Sequence, residues 1–79
     1  MELVQVDWID SCADINWQLL CDVDTDLTRV TTVGFLVKET NECVVIAQSV
    51  GVEPKQVCNT IAIPKGCIKN IKTIEENAN

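Results

Sequence analysis

Alternation of apolar and polar residues predicts strands over most of this chain. In residues 3–9, Val4, Val6 and Trp8 alternate with polar residues, which is the period of two that a half-buried strand requires. Trp8 is in phase with the two valines, so we predict that its side chain belongs to the core. Asp10 then ends the segment.

Three further apolar runs read as strands. Residues 29–38 form the clearest of them, and a short polar connection at 39–42 leads into the apolar run 43–49, so the two runs are predicted to pair as a β-hairpin. Residues 56–63 follow a loop and are ended by the Pro64-Lys65-Gly66 break. One face of that strand is predicted to carry Val57, Asn59, Ile61 and Ile63.

Two segments have less regular patterns. Between residues 12 and 28 a short helical turn is predicted, with Asp14 or Asn16 as its cap. It would carry Trp17, Leu20 and Cys21. Residues 67–76 place an isoleucine at every third position, which fits a helical stripe about as well as a strand. Short length and threonine content favour a strand there.

The order of these elements is typical of a small, mainly β protein: a five-stranded closed barrel with one helical turn near the amino terminus. A chain of 79 residues holds one domain, predicted to span residues 1–76, with 77–79 as a frayed tail. Apolar residues occur on both faces of 33–37 and 44–47, more than one small core absorbs. We therefore expect a homo-oligomer.

Composition narrows the chemistry that is available. The chain has no histidine, and its five cysteines include no CxxC pair, so neither a zinc site nor a full disulfide framework is indicated. The cysteines are interpreted as reduced and mostly buried. The sequence lacks an apolar run of membrane-spanning length, and its amino terminus is acidic, so a cytoplasmic protein with no membrane partner is predicted. We expect no cofactor and no metal.

Charge is distributed unevenly along the chain. The net charge is −6, yet residues 1–28 contain seven acids and no base, whereas residues 29–74 contain six bases and three acids. An acidic chain is repelled by duplex nucleic acid and by anionic membranes. A local basic pocket for a small anion is still compatible with this distribution.

Catalytic and calcium-binding motifs are incomplete. Asp10-Ser11 has no histidine to act as its base and is interpreted as a turn, and a chain this small hardly encloses a cleft that would perturb a carboxylate pair. We therefore predict that the protein is not an enzyme. The alternating Asp22, Asp24 and Asp26 resemble the start of a calcium loop, but leucine stands at the glycine position and the closing glutamate is missing. These aspartates are interpreted instead as a solvated acidic loop or, with Trp17, as a surface that faces a basic protein partner. The alternative for Trp17 is that it covers the end of the barrel.

Two motifs resemble those of Sm-like barrels. They are GFL at Gly34–Leu36 and IPKGCI at Ile63–Ile68, although this chain has Thr40 where an Sm-like domain has aspartate and lysine before Gly66 where it has arginine. In that family two turns approach each other and line a pocket for a base or nucleotide; here they correspond to Asn41 and to Pro64-Lys65-Gly66. Arg29 and Lys69 join this ligand site if β-strands bring them near it, the alternative being a solvated basic face.

About two-thirds of the chain also resembles short phage-encoded and prophage-encoded proteins of unassigned function. The matching segments are VDWIDS at 6–11, Trp17, TVGFLV at 32–37, VVIAQS at 44–49, QVC at 56–58 and IAIPKGCI at 61–68. This resemblance implies host takeover or suppression of host defence.

Three functions follow as hypotheses. The first is a phage protein that captures a small anionic, nucleotide-like signal in an oligomer and so blocks host defence. The second is an acidic inhibitor that binds a basic host protein through Trp17, Asp22, Asp24 and Asp26. The third, Sm-like RNA binding, is disfavoured by the negative charge.

Overall fold

Five antiparallel strands form a single sheet in the computed structural model of the chain, which describes residues 1–74. The strand order is β4-β3-β2-β1-β5. No other regular element occurs among these residues except two 3₁₀ turns, Leu20–Asp22 and Lys65–Cys67. The strands are β1 (Leu3–Asp10), β2 (Thr28–Glu39), β3 (Cys43–Val52), β4 (Lys55–Pro64) and β5 (Ile68–Thr73). The predicted mainly β class is confirmed, and so is the β2–β3 hairpin.

The sheet is open. β4 and β5 are its two edges, and no ladder joins them within residues 1–74, so the predicted closure into a barrel is not confirmed. In β4, Ile63 is buried and the other nine residues are exposed. An edge strand of this length presents a row of unpaired backbone groups.

The last described segment is a strand, and a bulge explains its three-residue spacing of isoleucines. Ile68 pairs with Trp8 and Ile71 pairs with Val6, because the register shifts between the two pairs and leaves Lys69 as an extra residue on β5. A bulge lets two residues three positions apart face the same side of a sheet. The helical alternative is therefore wrong for residues 68–73, while the predicted frayed tail 77–79 lies outside the described residues.

One face of the sheet carries the core. Its buried cluster is Val4, Val6, Trp8, Val44, Ile46 and Ile63, with Val30, Leu36, Cys67 and Ile68 packed against it. The alternation predicted for β1 is confirmed, since Val4, Val6 and Trp8 are at most 9% exposed. The indole Nε1 of Trp8 donates a hydrogen bond to Thr32 Oγ1 at 3.0 Å, so the one polar atom of this core aromatic has a partner on β2.

Gly34 marks the closest approach of β2 to β3. A Cβ atom at this position would lie 2.6 Å from the backbone oxygen of Ala47 and 2.6 Å from Cγ2 of Ile46. Backbone atoms of a paired strand do not move aside as the end of a flexible side chain does. The glycine of the GFL motif is therefore required by the packing of the sheet.

Asn59 interrupts the regular backbone of β4. Its φ is 56°, in the left-handed region that asparagine adopts more readily than most residues. Its Nδ2 donates to Oε1 of Gln48 on β3 at 3.1 Å. The predicted common face of β4 holds only in part, because Ile63 is fully buried whereas Val57 and Ile61 remain 42% and 37% exposed.

The cysteines do not behave as predicted. Cys12, Cys21 and Cys58 are exposed, and Cys43 and Cys67 are half-buried, so the prediction of mostly buried cysteines is wrong. The exposed ones lie on β4, where Ile63 is the one buried residue, or in the segment between β1 and β2, where every residue is exposed. All five are free thiols.

Candidate functional site

Arg29 and Lys69 line one cleft at the end of β1. Its volume is about 820 Å³, which is within the range of pockets that hold small molecules. Gly66 of the second 3₁₀ turn also lines this cleft. A Cβ atom built on it meets no described atom within 4 Å. The remaining lining residues are Ile9, Asp10, Ser11, Thr25, Asp26, Leu27 and Cys67.

Strand order explains why Arg29 and Lys69 line the same cleft. Arg29 pairs with Ile9 across the β1–β2 ladder, while Lys69 is the bulged residue of β5 on the opposite side of β1. β1 therefore lies between the two cationic residues. They also line a second, smaller cleft of about 440 Å³ beside Trp8.

Lys65 is directed to a different place. Its Nζ lies 2.7 Å from Oε2 of Glu39, with both side chains partly exposed, and such a pair adds little stability. Asn41, Pro64 and Lys65 are not among the residues that line the cleft of Arg29 and Lys69. The residues of the predicted ligand site are therefore not all brought together. Arg29, Gly66 and Lys69 line the cleft, and Lys65 pairs with Glu39 instead.

The two turns named in the Sm-like resemblance do meet. The backbone N–H of Lys65 donates to the carbonyl oxygen of Glu42 at 2.8 Å. Thr40, which replaces the aspartate of that family, accepts hydrogen bonds at Oγ1 from the backbone N–H groups of Glu42 and Cys43, both at 3.1 Å. A hydroxyl thus stabilises the turn in the way a short acceptor side chain does.

The cleft combines cations with hydrogen-bond acceptors. Arg29 and Lys69 supply donors that suit phosphate or carboxylate oxygens. Asp10 and Asp26 supply acceptors in the same lining. A small molecule that carries both an anionic group and hydroxyl or amino donors, as a nucleotide does, matches this set better than a bare anion.

The segment between β1 and β2, residues 11–27, is exposed at every position and is called here the acidic arm. Trp17 is fully exposed, and Asp22 belongs to the 3₁₀ turn of the arm. The predicted helical turn occurs at Leu20–Asp22, but no side chain caps it. Asp14 instead accepts a hydrogen bond from the N–H of Asn16 at 3.0 Å, which forms a local turn.

The aspartates of the arm are not arranged as ligands of a metal. Oδ1 of Asp24 accepts from the backbone N–H of Asp26 at 3.0 Å. Within residues 1–74 there is no group of three or more acidic or cysteine side chains placed to hold a metal ion. The same part of the chain contains no helix long and apolar enough to cross a membrane.

Sequence reasoning missed the arm's contribution to the cleft. Thr25, Asp26 and Leu27 line it together with the bases, and the only signal was their position directly before β2. Cys67 was interpreted as a core residue and is a lining residue as well.

Comparison of this chain with protein-family models, with curated protein sequences and with solved structures gives no match.

Proposed function

We propose that this chain is a phage-encoded binding protein that sequesters a small anionic, nucleotide-like signal and thereby counteracts a host defence. The observation that carries the proposal is the shared cleft of Arg29 and Lys69, which lie 40 positions apart in the sequence. Phosphate groups bind to the two bases, and hydroxyl or amino groups of the ligand donate to Asp10 and Asp26. The protein acts by capture, without catalysis, in the cytoplasm of the infected cell.

The proposal includes an oligomer of Sm-like barrels. The contact between Lys65 and Glu42 supports this fold type, since it joins the two turns on which the resemblance rests. The exposed edge strand β4 supports self-association, because open edges and apolar side chains are usually covered in native proteins.

Nucleotide capture is tested by ligand-induced thermal stabilisation. A panel of AMP, ADP, ATP, 3′,5′-cyclic AMP and inorganic phosphate is added to the purified chain, and we expect at least one nucleotide to raise its Tm. Arg29→Ala and Lys69→Ala are each expected to weaken binding by about tenfold to a hundredfold, because a hydrogen bond to a charged group contributes roughly 1.5–3 kcal/mol.

Two variants control this experiment. Lys72→Ala removes a base from β5 that does not line the cleft and is expected to leave the shift unchanged. Gly66→Leu adds a side chain at a lining position of the cleft and is expected to weaken binding, since a Cβ atom there meets no described atom within 4 Å. The proposal is wrong if no compound of the panel changes the Tm and native mass spectrometry of protein purified from its host detects no bound anion.

A second candidate function is inhibition of a basic host protein. It is favoured by one observation, the full exposure of Trp17 on an arm rich in aspartate. In a pull-down from host lysate, Asp22→Asn, Asp24→Asn and Asp26→Asn combined are expected to release the captured protein, while Arg29→Ala retains it. Retention by both variants would exclude the arm as the binding surface.

A further inference from the structure

The acidic arm exposes far more apolar surface than a free segment of a native protein does. The described residues contain twelve large hydrophobic side chains that are exposed, and half of them lie on the arm, each at least 51% exposed. These six are Ile15, Trp17, Leu19, Leu20, Val23 and Leu27. Large apolar side chains exposed in this number on one short segment are typical of a surface that binds a partner.

A groove lined by residues of β2, β3 and β4 has the matching properties. Val37, Val45 and Val57 line it, and its volume is about 500 Å³. Val37 is there because the β2–β3 register shifts between Leu36 and Lys38 and leaves it as an extra residue, so a bulge determines which side chain enters the groove.

The charges of the arm and the groove are complementary. Residues 11–27 contain four aspartates and no base. Lys38 and Lys55 line the groove, and among residues 1–74 no acidic residue does. An apolar segment flanked by carboxylates therefore meets an apolar groove flanked by ammonium groups, the pattern that gives an interface both affinity and register.

The arm does not fill the groove of its own chain. Every residue of the arm is exposed, and none of them lines the groove. Each copy thus presents both an exposed arm and a groove that its own arm does not cover.

We propose that residues 14–24 of the acidic arm of one copy lie in the Lys38–Lys55 groove of a second copy, that the exchange is reciprocal, and that Thr25, Asp26 and Leu27 stay at the cleft of their own chain. A specific dimer buries on the order of 1,200 Å² or more in total. The proposal rests on the self-association included in the proposed function, and it does not depend on the ligand. An arm covered by a second copy is not available to a host protein, so the proposal excludes the second candidate function.

Cross-linking between isotopically distinct copies tests the proposal. Full-length chain in ¹⁴N and ¹⁵N forms is mixed, unfolded and refolded together, treated with a carbodiimide that joins carboxylates directly to amines, and analysed by mass spectrometry. We expect cross-links of mixed isotope between the peptide that contains Asp22, Asp24 and Asp26 and either Lys38 or Lys55. Lys72, outside the groove, is the matched control and is expected to form none.

Charge exchange supplies the second test. Lys38→Glu with Lys55→Glu, and separately Asp22→Lys with Asp24→Lys, are each expected to weaken dimerisation at least tenfold in analytical ultracentrifugation, while an equimolar mixture of the two variants restores it. All four positions are exposed, so both variants should keep the Tm of the monomer.

Three results overturn the proposal: no mixed-isotope cross-link to the groove, unchanged association of either variant, or failure of the mixture to associate. Capture of a host protein by the wild-type arm, with the purified chain monomeric, also overturns it and favours the inhibitor.

The nucleotide-induced Tm shift is measured on the same variants. Its loss with the dimer intact contradicts the proposed function alone, and its presence without the cross-links contradicts only the exchange of arms.

Discussion

Gly34→Ala is expected to lower the free energy of unfolding by about 3 kcal/mol or more, at the upper end of what overpacking does. The added methyl group would lie 2.6 Å from the carbonyl oxygen of Ala47, so β2 must move away from β3 and the core face must repack. Total stability for a chain of this length is on the order of 4–12 kcal/mol. The variant therefore loses much of its folded population, measured by urea unfolding followed by circular dichroism.

Gly66→Ala is the matched control for Gly34→Ala. It is the same substitution, but no atom lies within 4 Å of the new methyl group, so its unfolding midpoint is expected to remain close to that of the wild type. Equal midpoints for the two variants would contradict the close approach of β2 to β3. Comparison of soluble yields extends the test if Gly34→Ala does not fold.

Trp8→Ala is expected to lower the free energy of unfolding by about 3–5 kcal/mol, the range for loss of a large core aromatic. Trp8 is 9% exposed and packs among the valines and isoleucines of the core cluster. Trp17→Ala is the control, since this tryptophan is fully exposed; at a dilution where the chain is monomeric, its effect should stay within about 0.5 kcal/mol.

The indole hydrogen bond is tested separately. Trp8→Phe keeps most of the buried apolar surface but leaves the Thr32 hydroxyl without its donor, and we expect a loss of about 1–2 kcal/mol. Adding Thr32→Val removes the second polar partner and should recover part of that loss. A double variant that is as unstable as the sum of the two single ones would show that the hydrogen bond contributes nothing.

The strands were predictable because their signal is local. The alternation of Val4, Val6 and Trp8 with polar residues is enough to predict the buried face of β1. The β2–β3 pairing is predicted from two apolar runs that a short polar turn joins. The structure of residues 68–73 was ambiguous for a physical reason. A bulge at Lys69 produces a three-residue spacing that resembles a helix, and nothing in the residues themselves reveals a bulge in advance.

Within the candidate site, only the approach of Arg29 and Lys69 to each other was predictable, because it depends on strand order. Arg29 and Lys69 were expected to gather if β2 and β5 lay near each other, and they do so on either side of β1. Lys65 is predicted to line the same pocket through the resemblance of its turn to that of Sm-like barrels. In the structure its Nζ lies beside Oε2 of Glu39 instead, and local pattern carries no information about a partner 26 residues away.

The left-handed backbone of Asn59 has a consequence for the fate of the exposed edge. A flat, ten-residue apolar strand with open hydrogen-bonding groups is a template for uncontrolled addition of further strands, as in amyloid. Asn59, with φ of 56° near the middle of β4, departs from the extended backbone that an added strand must match. The edge therefore offers an incoming strand two short extended stretches, 55–58 and 60–64, instead of one long one.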